Sequence, residues 1–76
     1  MSREKDSWLK NLAENVKLLR KEQGLSQQSL AEKSRLSIAT IAKIEICAVE
    51  NPTLDTIASL GKALKLKDSL FLLTKD

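Results

Sequence analysis

The side chains of this chain that can do chemistry are few, and their types narrow what that chemistry is. No histidine is present, which removes the commonest general base and metal ligand near neutral pH. The carboxylates are not clustered, Gly24 and Gly61 cannot build a glycine-rich phosphate loop, and 76 residues leave no room for a sizeable pocket. These absences argue against an enzyme, a resident cofactor and a metal site. Cys47 is a single cysteine with no flanking cation to favour its thiolate, so it reads as a small apolar residue. What remains is recognition chemistry. Ser26, Ser37 and Thr53 open helical patterns, where exposed backbone N–H groups favour anions. Arg35 and Lys43 add cations close by, and net charge is +3 from 13 basic and 10 acidic residues, a mild bias toward polyanions.

The elements that must hold these residues follow from apolar spacing. Leu9, Leu12, Val16 and Leu19 recur at i, i+3, i+7 and i+10 and predict a first helix from Asp6 or Ser7, capped at its end by Gly24. Trp8 reads as a ring over the edge of the core, and the polar start Met1 to Asp6 as a fraying segment. Leu30 and Ala31 are the buried pair of a second helix, Gln27 to Ser34. Ser34-Arg35-Leu36-Ser37 forms a turn, with Ser37 capping a third helix from Ile38 to Ile46. There Ile41 and Ile44 face inward, leaving Ala39, Thr40 and Lys43 outward. Thr53 caps a fourth helix whose core stripe is Leu54, Ile57, Leu60 and Leu64, with Gly61 permitting a close approach.

Asp68 or Ser69 then starts a short fifth helix through Leu70, Phe71, Leu72 and Leu73. One helical turn cannot point four apolar neighbours into one core, so part of this segment is expected in a dimer interface, assigned to Leu70, Leu72 and Leu73. The hydrophobic fraction of 42% with only Trp8 and Phe71 aromatic implies an aliphatic core, and two glycines and one proline imply an all-α fold. The expected layout is a flexible or partly ordered N-terminus over 1–8 and one domain over 9–73. A domain this small buries only about 60% of its unfolded surface, so a partner chain would add stability. No apolar run exceeds four residues and no signal peptide is visible, which points to a cytoplasmic protein with no membrane contact.

Two short helices joined by a tight turn, with small Ala31 letting the axes cross and Leu36 plugging the corner, make helix-turn-helix geometry. The second helix of such a pair can lie in a DNA major groove. The runs VKLLRKEQGLSQQSLAEKS, LSIATIAKIE, NPTLDTIASLGKALKL and DSLF, from about Val16 to Phe71, resemble the phage repressor/Cro type of helix-turn-helix protein, the XRE family. The resemblance implies a five-helix, lambda-repressor-like DNA-binding domain. By position, Ile38, Ala39, Ala42 and Lys43 would face base edges with Thr40 beside them. Ser26, Gln27, Arg35, Ser37, Asn51 and Thr53 would lie along phosphates, Gln27 bridging one to the start of the recognition helix. Arg20 and Glu45 match a family ion pair across the domain, expected to be partly buried and bidentate.

Departures from the family pattern are informative. Ser29 stands where Glu usually closes the capping box with Ser26. Arg35 replaces a glycine at a position of positive φ, at a cost of about 1 kcal/mol. Ile46, Cys47 and Ala48 replace Asn or Arg, then Gly, then Lys, losing a phosphate-binding cation and leaving an apolar patch. Aliphatic side chains can pack on thymine methyls but cannot hydrogen-bond a base, whereas Lys43 can reach guanine O6 or N7. The implied function is a sequence-specific transcriptional regulator, a repressor, binding double-stranded DNA at a pseudo-palindromic operator as a homodimer. Two alternatives stay open: the antitoxin of a toxin–antitoxin pair, with a toxin as protein partner, and a protein-interaction module that keeps the fold without operator binding.

Overall fold

A computed structural model describes residues 3–49 and 51–75, with side chains from Ser7 onward. The chain folds as α1 (Arg3–Glu22), α2 (Gln27–Ser34), α3 (Ile38–Glu45), α4 (Leu54–Ala63) and a 3-10 turn (Ser69–Leu73). The expected fifth helix is therefore this 3-10 turn, and no strand occurs among the described residues. Asp68 caps the turn by accepting from Leu70 N–H at 3.0 Å, and Phe71 N–H reaches back to the Asp68 carbonyl, which tightens the segment. Helix α1 begins at Arg3, earlier than the expected start at Asp6 or Ser7, while Met1 and Ser2 lie outside the described residues.

Local chemistry sets the helix starts. Ser26, Ser37 and Thr53 each accept the backbone N–H three residues on, at 2.9, 3.0 and 3.1 Å. A second hydroxyl stands at each of those positions, and the pairs Ser26–Ser29, Ser37–Thr40 and Thr53–Thr56 bond side chain to side chain. The hydroxyl pair takes the place of the Ser–Glu capping box.

Helix ends follow one scheme throughout. One residue past α2 and two residues past α1, α3 and α4 the backbone turns left-handed, at Arg35, Gly24, Cys47 and Lys65. The next N–H then closes on a carbonyl five residues back: Leu25 on Arg20, Leu36 on Ala31, Ala48 on Lys43 and Leu66 on Gly61. Arg35 thus keeps the left-handed turn that glycine would adopt at less cost, with φ 62°.

Packing forms a closed circuit: α1 lies on α3, α3 on α2, α2 on α4, α4 on the 3-10 turn, and the turn back on α1. Inside it sit Leu12, Val16, Leu30, Ala31, Ile41, Ile44, Ile57, Leu60, Leu64 and Leu72, with Trp8, Leu25 and Leu36 packed at the edges. A Cβ at Gly61 would lie 2.6 Å from the Ser69 Cβ, so the glycine is what lets the 3-10 turn sit against α4.

Two leucines differ from expectation. Leu54 is 73% exposed rather than part of the core stripe. Leu72, assigned above to a dimer interface, is fully buried in the monomer core, and Leu73 packs against that core. With three residues per 3-10 turn, Leu72 stacks over Ser69, which faces α4, and this rotates Leu70 and Phe71 outward. The segment is tied to α1 by amides: Asn15 Nδ2 donates to the carbonyls of Leu72 and Thr74 at 2.9 and 2.8 Å, and Asn11 Nδ2 to that of Leu73 at 3.0 Å.

Candidate nucleic-acid interface

Helix α3 is the element that can present side chains to a groove, and its orientation is set from the buried side. Ile41 and Ile44 are buried, together with Glu45 at 5% exposure. A carboxylate removed from water needs partners, and Glu45 has three donors. Arg20 Nε donates to Oε2 at 2.7 Å, Arg20 Nη2 to Oε1 at 3.1 Å, and Gln27 Nε2 to Oε1 at 3.0 Å. Arg20 Nη1 also donates to the Leu25 carbonyl at 2.9 Å. Burial alone would raise the Glu45 pKa. The hydrogen bonds from Arg20 and Gln27, and the charges of Arg20 and Lys17, outweigh it and hold the carboxyl below its ordinary value. The hydrogen bond to Glu45 raises the Arg20 pKa against the opposing effect of burial. The network locks the end of α3 to α1 and to the start of α2.

Gln27, which the resemblance implies bridges a phosphate to the start of α3, donates its amide to α3's last residue. That link is the part of the site the sequence did not reveal, since nothing local to Gln27 or Glu45 marks it. Ser26 and Thr53 cap α2 and α4, while Ser37 caps α3; all three are exposed. Asn51 is also exposed. Arg35, exposed, shares a groove between α2 and α4 with Lys33 and Lys62.

The opposite side of α3 is open. Ile38 is 49% exposed, Ala39 and Lys43 are exposed, and Ala42 and Thr40 are half-buried. Thr40 spends its hydroxyl on Ser37 at 2.8 Å. One more residue joins this face: Ile46, expected as the last residue of the helix and the start of an apolar patch, caps α3 and is 71% exposed. Its spacing of eight from Ile38 was a usable signal, since it sets Ile46 about 80° round the helix from Ile38, between Ala42 and Ala39.

No helix among the described residues is long and apolar enough to cross a membrane. No curated protein and no solved structure matches the chain. The helix-turn-helix family model matches residues 16–71, which spans α2, α3, their turn and most of the elements packed around them. That family is one of DNA-binding regulatory domains. With the match covering most of the sequence, the chain belongs to the phage repressor/Cro-type (XRE) helix-turn-helix family.

Proposed function

We propose that this protein is a sequence-specific transcriptional repressor that binds a pseudo-palindromic operator as a homodimer. The observation that carries the reading is α3 itself, anchored by the buried Glu45 and open along Ile38, Ala39, Ala42 and Lys43. Lys43, Ile38, Ala39, Thr40 and Ala42 meet base edges, and Ser26, Gln27, Arg35, Ser37, Asn51 and Thr53 set the register along phosphates. Two copies present their third helices about 34 Å apart, one DNA turn. Self-association uses Leu70 and Phe71, which are exposed, with Leu18 on the same stripe of α1 as Asn11 and Asn15.

Selection of bound duplexes from a random pool tests this. A regulator selects a two-fold consensus, binds it with a steep salt dependence, and changes the selected bases when Lys43 becomes alanine. Weak binding of every sequence alike, or a consensus untouched by Lys43→Ala, refutes it. The aliphatic face of α3 favours one second reading, a protein-interaction module on the same fold.

A further inference from the structure

The outward face of α3 has an unusual composition for a surface that reads bases. At about 100° per residue, Ile38, Ala42, Ile46, Ala39 and Lys43 fall within an arc of about 140°. Four of the five are aliphatic, and the two isoleucines, one in the first turn of α3 and one just past its last, are among the most exposed apolar side chains of the domain. Neither belongs to the buried cluster, and the buried residues Ile44, Ile41 and Glu45 fill the adjoining arc of α3. Ile38 and Ile46 stand about 12 Å apart along the helix, the rise of three to four base-pair steps at about 3.4 Å each.

The major groove offers one apolar group, the C5-methyl of thymine. A hydrogen-bonding base edge set against isoleucine or alanine loses its water without gaining a partner, whereas a methyl set there is removed from water on both sides. Lys43, the one charge on the arc, matches the polyanion and supplies the single hydrogen-bonding reach. From the proposed regulatory role of this helix, on which the inference rests, we infer that the protein reads its operator mainly through thymine methyls, with Ile38 and Ile46 as the specificity-determining residues. The apolar arc thus selects a T-rich register, and Ile46 acts as a base-reading residue beyond the positions the family resemblance supplies.

The test uses the full chain and the duplex selected from the random pool, with each thymine replaced in turn by deoxyuridine, which deletes only the methyl. Loss of about fourfold in affinity is expected at each contacted thymine, and Ile38→Ala or Ile46→Ala should abolish that loss at the thymine each residue covers. Both residues are exposed, so the variants keep the fold. Equal affinity for the thymine and deoxyuridine duplexes overturns the inference while leaving DNA binding intact, as does an undiminished deoxyuridine effect in both variants. Absence of any salt-dependent DNA binding overturns the inference and the regulatory reading together, and assigns the arc to an apolar protein partner.

Discussion

The two sides of α3 are built from nearly the same residues and meet opposite fates. One side holds Ile41, Ile44 and the carboxylate of Glu45, all buried; the other holds Ile38, Ala39, Ala42, Lys43 and Ile46, largely open. The Glu45 carboxylate is inside and its isoleucine neighbour is 71% exposed. Polarity therefore does not choose the buried side of this helix. The choice is made by complementary partners: Arg20 and Gln27 provide enough donors to hold a carboxylate away from water, while Ile46 is left exposed among the described residues.

Breaking the buried side should have the largest effect. Arg20→Ala leaves Glu45 without its main donor and should lower unfolding free energy by about 3–5 kcal/mol in urea denaturation. Arg35→Ala removes only an exposed charge and should change it by less than about 0.5 kcal/mol; equal losses would refute the anchoring role of the pair. Ile41→Ala should cost about 2–5 kcal/mol through lost burial and a cavity, against less than about 0.5 kcal/mol for Ile46→Ala. The ratio between these two measures directly how unlike the sides of α3 are.

Acid sharpens the same contrast. The folded Glu45 pKa lies below the ordinary 4.5, so its contribution is full above that value and fades as pH falls through the lowered one. In Glu45→Gln the loss of stability below about pH 4.5 should be shallower than in the parent, followed by thermal unfolding across pH 3–6. Ser37→Ala, which removes the cap that starts α3, should cost about 1 kcal/mol. A further effect is a gain. Arg35→Gly and Cys47→Gly relax left-handed positions at φ 62° and 60° and should each add up to about 1 kcal/mol to stability.

Legibility varied by the range of the interaction. The hydroxyl caps at Ser26, Ser37 and Thr53 need only three residues of chain, and all three accept the N–H that the sequence suggests. Ile41 and Ile44 were readable from helical spacing. Leu54 has the same spacing relative to Ile57 and is nevertheless exposed, because period tells which side a residue faces but not how far the neighbouring elements extend. Leu72 was misplaced for a related reason. Four adjacent apolar residues do not say which one points inward, and the 3-10 geometry that decides it depends on Ser69 resting against Gly61.

By itself the sequence determined an all-α chain, the order of its elements, the hydroxyl residues that start α2, α3 and α4, and its family. Those properties come from backbone hydrogen bonding and side-chain period within a few residues. Tertiary structure alone decided that Gln27 joins Arg20 on Glu45, that Leu70 and Phe71 rather than Leu72 face solvent, and that Ile46 extends the open face of α3. Each of these depends on which surfaces meet across the core, and that is set by distances between residues far apart in the chain.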